Sequence, residues 1–352
     1  MSRRPVTVFF KLGALGDTIM TTPALRAYRK SFPHEEIIYI IGKTCEAALL
    51  GNPNIDRLIT FDDDAFYTGG AIARMKTVFK VTGLIKSFKA GRIFIMQKDS
   101  SWNNAAKSAG VPERFGFGEE KNKHLTHALK NSDDFHEVDS YIEICKLAEG
   151  FRPDGHTMNV YHSEAEPERI KSLTGNLFSK KVIAVAPGGR SGMKAEDDLR
   201  RWRGYLELIR KIISETECNI LVIGSRSDKE LLDTNGFDEA RVKNLCGKIP
   251  VAGSYAALKR CAMLVAGDGG AMILGAAAGI PVVSIFGPTN PLNRYPITNH
   301  LSRYIWLEKD CSPCIKDGHF PRKTDHACME EITPDMVFAE VTDILEKSPQ
   351  KE

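Results

Sequence analysis

The stretch MLVAGDGGAMILGAAAGIPVVSIFGPT, residues 263–289, decides the fold of this chain. It opens with an apolar run, is interrupted by the glycine-rich turn 267–270, and ends with a second apolar run that begins at Pro281. This order predicts a strand, a turn, a helix and a second strand, which is the sequence form of a parallel β-α-β unit. The turn of such a unit lies at the carboxyl end of its strand, where helix N-terminal N–H groups bind anions.

The turn contains three candidate ligand-binding residues. Gly269 and Gly270 have no side chains, so the backbone there can approach a phosphate closely. Asp268 is better suited to accepting hydrogen bonds from hydroxyl groups than to contacting the phosphate itself. The alternative interpretation is that these glycines only turn the chain and pack the helix that follows.

Three further turns follow predicted strands in the carboxyl-terminal half. Gly188 and Gly189 come after the strand 181–186, Gly224 comes after the strand 219–223, and Cys246, Gly247 and Lys248 form the next short element. Because the carboxyl ends of parallel strands meet at one edge of a sheet, we expect these turns to converge with the turn at Gly269.

Charged residues beside these turns fit a nucleoside diphosphate. Four basic residues gather near the end of the strand 181–186, and guanidinium groups suit diphosphate oxygens at any relevant pH. They are Arg190, Lys194, Arg200 and Arg201. Asp228 or Glu230 is placed to accept ribose hydroxyls, and the backbone of 246–248 to meet an adenine edge. Solvated loop charges are the alternative interpretation.

The amino-terminal half starts with the same pattern. The apolar strand 6–11 runs into the turn Gly-Ala-Leu-Gly-Asp at 13–17, and a helical pattern follows. Asp17 falls where a helix N-cap or a first-turn carboxylate belongs. It is also a candidate general base, because a carboxylate at such a turn can take a proton from a substrate hydroxyl. Further strands are predicted at 37–41, 58–61 and 92–96.

Length and composition predict a two-domain globular protein. The 352 residues exceed one typical core, and residues 151–180, rich in Pro, Gly, Ser and charge, are the predicted linker. A net charge of +3 is too small to indicate a nucleic-acid partner. The sequence shows neither a signal peptide nor a membrane-spanning run, which predicts a cytoplasmic protein. Scattered cysteines such as Cys246 and Cys261 are predicted to be small buried residues.

The stretch 73–89 leaves two interpretations open. It predicts a basic amphipathic helix that contains Arg74 and Lys76 among several lysines. Such a helix either presents a solvated face or contacts an anionic acceptor or a phospholipid surface.

A cysteine cluster near the carboxyl terminus also leaves two interpretations open. Its members are Cys311, Cys314 and Cys328, with His319 and His326 between them. They either bind zinc or belong to a reduced surface loop, and the loop is favoured because a structural zinc site needs four fixed ligands. No metal is therefore predicted.

Several motifs occur in a specific order along most of the chain. The first is KLGALGDTIMTTPALRAYRKSFP at 11–33; the later ones are VAPGGR at 185–190, RRW at 200–202, LCGK at 245–248, GDGGAMILGAAAGIPVVSIFGPT at 267–289, CSPC at 311–314 and ACMEEITPDMV at 327–337. Together they resemble the ADP-heptose:lipopolysaccharide heptosyltransferases. The resemblance implies an α/β fold with two Rossmann-like domains facing across a cleft, the B-type glycosyltransferase fold. It further implies an acceptor-binding domain at 1–165, a nucleotide-sugar donor-binding domain at 166–330, and a C-terminal helix at 331–352 that packs back toward the N-terminal domain.

The resemblance also implies an inverting transfer of heptose from ADP-heptose to a lipopolysaccharide core acceptor. It implies no cofactor, and a cytoplasmic location with peripheral contact to the inner membrane as an option. Asp17 would match the catalytic base, Arg200 the basic residue on the donor diphosphate, Asp228 the ribose contact, and Asp268 the carboxylate near the donor sugar. The other expected donor contacts are Gly188, Gly189, Arg190, Cys246, Gly247, Lys248, Gly269 and Gly270, and the expected acceptor contacts are Gly16, Thr18, Arg74 and Lys76.

The sequence departs from the family pattern at the donor site. The family usually has Asp-Thr-Gly followed after two residues by His, whereas this chain has Asp268, Gly269, Gly270 and Ile273. Arg200 also replaces the more usual Lys, which retains the charge but changes its geometry. The alternatives are therefore a protein that only binds a nucleotide sugar, or a transferase of another sugar. An oxidoreductase is disfavoured because neither half has GxGxxG with an acidic residue about twenty positions on.

Overall fold

The computed structural model describes residues 4–132, 135–188, 200–314 and 327–348. The chain divides into two units, Met1–Tyr161 and His162–Glu352. Each unit contains a six-stranded sheet in its described residues, and all neighbouring strands of both sheets are parallel.

The first unit alternates strands with helices. Its elements are β1 (Val6–Lys11), α1 (Leu15–Met20), α2 (Thr22–Ser31), β2 (Glu36–Gly42), β3 (Arg57–Phe61), α3 (Asp64–Thr68), α4 (Ala71–Phe88), β4 (Arg92–Ile95), α5 (Ser100–Ser108), β5 (Glu113–Phe117), β6 (His127–Leu129) and α6 (Glu137–Lys146). A 3₁₀ helix, Lys43–Ala48, lies between β2 and β3. The strand order β3-β2-β1-β4-β5-β6 is that of a Rossmann fold, with its switch point between β1 and β4.

The second unit repeats this plan. Its elements are α7 (Glu166–Thr174), β7 (Val182–Ala186), α8 (Tyr205–Glu215), β8 (Asn219–Val222), β9 (Val242–Asn244), α9 (Val251–Leu258), β10 (Met263–Gly267), α10 (Gly270–Ala277), β11 (Val282–Phe286), β12 (Arg303–Trp306), α11 (Ala327–Glu330) and α12 (Pro334–Lys347). The 3₁₀ helices Gly175–Ser179, Ser227–Glu230 and Pro291–Asn293 lie between them. The order β12-β11-β10-β7-β8-β9 places the switch point between β7 and β10.

The sequences of the central strands do not alternate regularly between apolar and polar residues, and burial on both faces explains this. All residues of β1, β7, β10 and β11 are buried, as expected for parallel strands that are covered on both faces. In the first unit, Phe9 stacks on Tyr39 and Phe94 across neighbouring strands, with ring centroids 6.0 and 4.9 Å apart. The fold-deciding stretch 263–289 thus supplies two fully buried strands and the helix α10 that connects them.

Some elements differ from the sequence-based prediction. The strands β5 and β6 were not predicted, because they are short and interrupted by charged or polar residues. The ring of His127 in β6 stacks on Phe115 of β5 with centroids 4.3 Å apart, which joins the two short strands through their side chains. The predicted linker contains α7, in which only Ile170 and Thr174 are buried, too few to produce a clear helical period. The candidate ribose contacts Asp228 and Glu230 lie in the short 3₁₀ helix Ser227–Glu230.

Helix α12 packs within the second unit. Val337, Val341 and Ile344 are fully buried at helical spacing, and α12 contacts α8, β11 and β12. The Thr333 hydroxyl accepts a hydrogen bond from the Met336 N–H at 3.3 Å, and this N-cap starts the helix. The packing of 331–352 toward the N-terminal domain stays a prediction.

Candidate active site

Asp17 lies at the carboxyl edge of the first sheet, in the first turn of α1. The N-cap of this helix is Ala14, so Asp17 is a first-turn carboxylate and not a cap. The side chain is 31% exposed, and its Oδ2 lies 3.9 Å from the Nζ of Lys11, which is only 4% exposed. The Lys11 ammonium also lies over the Tyr141 ring, 5.3 Å from its centroid. A solvent-accessible carboxylate therefore has a buried cation behind it.

The turn before Asp17 is closely packed. A Cβ atom at Gly13 would lie 3.0 Å from the Cys45 sulfur and 3.2 Å from the Tyr67 hydroxyl, so this position has little room for a side chain. Burial raises the pKa of the Cys45 thiol, and the nearby Asp63 and Asp17 carboxylates raise it further. Cys45 is thus a neutral neighbour of the candidate base.

The predicted acceptor-binding residues occupy two places in the first unit. Gly16 is buried in α1, and the Thr18 hydroxyl donates to the Ala14 carbonyl at 2.9 Å. Arg74 and Lys76 lie on the first turns of α4, where both side chains are exposed. Their contact with an acceptor stays a prediction.

Asp268 is the centre of a cationic cluster at the carboxyl edge of the second sheet. It follows β10 and is 3% exposed. Its Oδ2 lies 3.3 Å from Arg200 Nη1 and accepts a hydrogen bond from the Thr289 hydroxyl at 2.8 Å. Its Oδ1 lies 3.9 Å from Arg294 Nη1. We call Asp268, Arg200, Thr289 and Arg294 the Asp268 cluster.

Two members of this cluster were not predicted from the sequence as site residues. Thr289 and Arg294 follow β11, the strand beside β10, so the parallel sheet brings them to the same edge as Asp268. The available signal was the Gly-Pro-Thr turn directly after a buried strand. The cluster combines one buried carboxylate with two guanidinium groups, and this excess of positive charge suits an anionic ligand.

The cluster adjoins the start of α10. Gly269 is the N-cap and Gly270 is the first helical residue, and both are partly exposed. The backbone N–H groups of a first helical turn have no intrahelical partners, so they are available to bind phosphate oxygens. The structure therefore places Asp268, Gly269, Gly270 and Arg200 together, as predicted from the sequence.

Asp228 connects three of the predicted turns. It is 6% exposed, and its Oδ2 accepts hydrogen bonds from the Ser225 N–H at 2.7 Å and the Ser225 hydroxyl at 2.8 Å. A Cβ atom at Gly188 would lie 2.4 Å from Asp228, and one at Gly224 would lie 2.8 Å away. The Gly247 N–H donates to the Gly224 carbonyl at 3.0 Å. The turns after β7, β8 and β9 thus meet around one buried carboxylate.

One oxygen of Asp228 remains available. Its Oδ1 is buried and has no hydrogen-bond partner among the described residues. A buried carboxylate oxygen without a donor is costly, so this atom is a candidate acceptor for a ligand hydroxyl. The contact of Asp228 with a ribose hydroxyl stays a prediction.

The remaining residues that were predicted to contact the nucleoside follow β9. Cys246 is buried, and burial raises the pKa of its thiol to about 12, so the thiol is neutral. Gly247 adopts a left-handed backbone with φ of 69°, which favours glycine. Lys248 is exposed, and its Nζ donates to the Asn244 carbonyl at 2.9 Å. Five residues discussed from the sequence lie outside the described residues: Gly189, Arg190, Lys194, His319 and His326.

The cysteine segment packs against the Gly-Pro-Thr turn. The Ser312 hydroxyl donates to the Gly287 carbonyl at 2.6 Å, and the Cys314 N–H donates to the Pro288 carbonyl at 3.0 Å. Within the part of the chain that the structure describes, no group of three His, Cys, Asp or Glu side chains is positioned to hold a metal ion. The described portion of this segment therefore supports the turn that presents Thr289.

Residues 95–323 match the model of glycosyltransferase family 9 (heptosyltransferase). The chain belongs to this family. It is 23% identical over 351 residues to lipooligosaccharide heptosyltransferase 2 of Campylobacter jejuni, with 95% of this chain and 96% of the relative covered. The fold of this glycosyltransferase is similar to two solved structures. ADP-heptose lps heptosyltransferase II of E. coli gives a TM-score of 0.72 at 21% identity, covering 97% and 99% of the two chains. A family 9 glycosyl transferase from Veillonella parvula gives 0.76 at 21% identity, covering 98% of each chain.

These similarities confirm two predictions for this glycosyltransferase. The α/β fold class of the B-type glycosyltransferases is confirmed by both sheets and by the similar structures. The prediction of a heptosyltransferase-like enzyme is confirmed by the family match, which spans parts of both units.

Proposed function

We propose that this glycosyltransferase transfers a heptose from ADP-heptose to a lipopolysaccharide inner-core acceptor with inversion at the anomeric carbon. The family match and the names of the full-length relatives support the donor and the acceptor class. The observation that carries the proposal is the Asp268 cluster, because it joins two guanidinium groups to the start of α10 in a Rossmann-type unit.

The donor diphosphate binds the Asp268 cluster. Arg200 and Arg294 pair with its oxygens, and the N–H groups at Gly269 and Gly270 add hydrogen bonds. Asp268 holds both guanidinium groups in place and accepts a hydroxyl of the donor sugar. As the bond to the sugar breaks, these groups stabilise the negative charge that develops on the leaving ADP.

The nucleoside binds beside Asp228. Its Oδ1 accepts a ribose hydroxyl, and the backbone at Cys246, Gly247 and Lys248 contacts the adenine edge. Gly188 approaches the diphosphate from the end of β7, and Gly189 and Arg190 stay expected donor contacts from the sequence. The hydrogen bond between Gly247 and Gly224 supports this arrangement, because it fixes the turns after β8 and β9 relative to each other.

Asp17 acts as the general base. It takes the proton from an acceptor hydroxyl while the oxygen forms a bond to the anomeric carbon and ADP leaves from the opposite face. Coulomb attraction to Lys11 favours the charged carboxylate that this step requires. Gly16, Thr18, Arg74 and Lys76 belong to the acceptor-binding region in this proposal.

A nucleotide donor that carries a sugar other than heptose is the second candidate. Ile273 occupies the position where the family usually has His, and it is 3% exposed in α10. Gly269 likewise provides no hydroxyl where the family usually has Thr. The donor pocket thus has fewer polar side chains than the family pattern provides, which favours tests with other ADP- and nucleotide-linked sugars.

In this proposal the protein is cytoplasmic and contacts the inner face of the inner membrane peripherally, and the reaction takes place there. No helix among the described residues is long and apolar enough to span a bilayer.

A direct assay tests the proposed function. The purified protein is incubated with ADP-heptose and a heptose-deficient core acceptor, while ADP release and the mass of the acceptor are followed. We expect one added heptose per acceptor and stoichiometric ADP. Saturable ADP-heptose binding without any transfer would instead identify a nucleotide-sugar-binding protein. Transfer from a different nucleotide sugar, found by screening donors, would replace the heptose assignment.

A further inference from the structure

Helix α4 of the first unit exposes three large apolar side chains. Ile72 and Met75 are each 67% exposed, and Phe79 is 80% exposed. Their spacing of three and four residues aligns them on one side of the helix. The opposite side packs on the unit through Thr77, Val81, Ile85 and Phe88. We call Ile72, Met75 and Phe79 the apolar stripe; side chains of this size, exposed together, indicate an interaction surface.

The charges on the same helix are all positive. The 18 residues of α4 contain no Asp or Glu. Lys76 and Lys80 lie beside the apolar stripe, and Lys86 lies one to two turns farther along. None of these three lysines forms an ion pair among the described residues. Arg74 is different, because its Nη2 lies 3.3 Å from Asp99 Oδ2.

Helix α4 begins at the edge of the sheet that carries Asp17. The preceding helix α3 follows the carboxyl end of β3 and packs against α4. Tyr67 of α3 lies beside the turn that precedes Asp17, as its closeness to a Cβ at Gly13 shows. A ligand of the apolar stripe would therefore lie on the same side of the unit as the candidate base.

We propose that α4 binds the surface of an anionic phospholipid bilayer. The apolar stripe inserts at the boundary between headgroups and acyl chains, and Lys76, Lys80 and Lys86 contact the phosphates. A second copy of the chain is disfavoured, because a twofold contact would bring one positive face against another. Lipid binding is argued from α4 alone; its use in bringing a lipid-anchored acceptor to Asp17 rests on the proposed function.

Vesicle flotation of the full-length protein tests this surface. We expect binding to vesicles of phosphatidylethanolamine with phosphatidylglycerol, and much weaker binding to vesicles of phosphatidylcholine alone. Replacing the stripe by I72S, M75S and F79S together is expected to weaken binding by about 10-fold or more. The pair K80E and K86E is expected to weaken it to a similar extent, with loss of the salt dependence. The matched control is Leu50→Ser, because Leu50 is a 60%-exposed apolar residue on the same unit.

A single fluorescent variant tests the same surface independently of whether the triple variant folds. Phe79→Trp should show a blue-shifted emission on mixing with the anionic vesicles, after subtraction of the wild-type signal. No vesicle binding by the wild-type protein, or unchanged binding by the triple variant, would overturn the proposal. So would a dimer that dissociates in the triple variant while no vesicle binding is observed.

Activity on a deacylated, water-soluble acceptor separates this proposal from the proposed function. The triple variant should keep wild-type turnover on that acceptor and lose activity only on vesicle-bound acceptor. Vesicle binding without any heptose transfer would contradict the proposed function and leave the lipid surface standing.

Discussion

The buried ammonium of Lys11 lies 3.9 Å from the Asp17 carboxylate, across the glycine turn that joins β1 to α1. Lys11 is the last residue of β1 and Asp17 lies in the first turn of the helix, so their closeness is produced by the tight turn between them. This pair gives the candidate base a fixed cationic neighbour, whereas its other side remains accessible to an acceptor.

Replacing Asp17 with Asn tests the base directly. Turnover is expected to fall about 100-fold or more, because an amide cannot take the acceptor proton. Affinity for ADP, measured by calorimetry, should stay near the wild-type value. Asp64→Asn is the control, because Asp64 is an exposed first-turn carboxylate of α3 in the same unit. Equal turnover in D17N and wild type would remove Asp17 from the mechanism.

Replacing Lys11 with Met removes the cation but retains a long apolar side chain in a buried position. Without the ammonium, the charged carboxylate of Asp17 is less favoured relative to the protonated carboxyl. When the pH is lowered, the variant should therefore lose activity at a higher pH than the wild type does. We expect the acid limb of the pH–rate profile to move to higher pH in the variant, by a small amount because Asp17 is partly exposed and screened. An unmoved acid limb in a folded variant would show that Lys11 does not act on the base.

Replacing Asp268 with Asn should weaken donor binding. The substitution removes the charge that holds Arg200 and Arg294, and hydrogen bonds to a charged group contribute roughly 1.5–3 kcal/mol. A loss of ADP affinity of about 10-fold or more is therefore expected by calorimetry. Arg294→Ala should give a loss of comparable size. Asp335→Asn is the control, because its carboxylate is 79% exposed and pairs with Lys211 on the same unit. Wild-type ADP affinity in both D268N and R294A would exclude the cluster as the diphosphate site.

Buried thiols predict loss of stability at alkaline pH. Burial raises the pKa of the Cys261 thiol from 9.0 to about 12. The folded unit therefore retains a proton that the unfolded chain releases above pH 9. This contribution is fully present below pH 9 and is lost progressively as the pH rises toward 12, by roughly 1.4 kcal/mol per pH unit.

Urea unfolding of Cys261→Ala at pH 8 and pH 10 measures this contribution. The stability of the second unit should fall less between these pH values in the variant than in the wild type. The matched control is Cys311→Ala, because Cys311 is exposed. An equal fall in wild type and C261A would contradict the prediction.

Truncation of Ile344 tests whether α12 is part of the core of the second unit. Ile344 is fully buried against the sheet side of the helix, so Ile344→Ala should lower the free energy of unfolding by about 2–5 kcal/mol. Glu346→Ala, on the exposed side, should change it by less than about 0.5 kcal/mol. Similar urea midpoints for I344A and wild type would mean that α12 contributes little to this unit.

Strong local signals made much of the fold predictable. The continuous apolar runs at 182–186 and 263–267 required strands buried on both faces, and the glycine turn at 267–270 allowed α10 to start directly after β10. Short elements were less predictable, since β6 has only three residues and α7 buries two side chains. In such segments tertiary packing decides the conformation, because local propensity is weak.

The order of the amino acids was enough to predict two Rossmann-type sheets, the strand-end positions of Asp17, Asp228 and Asp268, and a resemblance to a glycosyltransferase family. The cations that face Asp17 and Asp268 became evident from the three-dimensional packing. Lys11 reaches Asp17 across a turn, and Arg294 reaches Asp268 from the neighbouring strand's loop. Such pairings depend on strand order and side-chain direction, and a linear pattern of residues does not record either. The exposed side of α4 was likewise set by packing, because the helix has apolar residues on both sides and only Val81, Ile85 and Phe88 are buried against the unit.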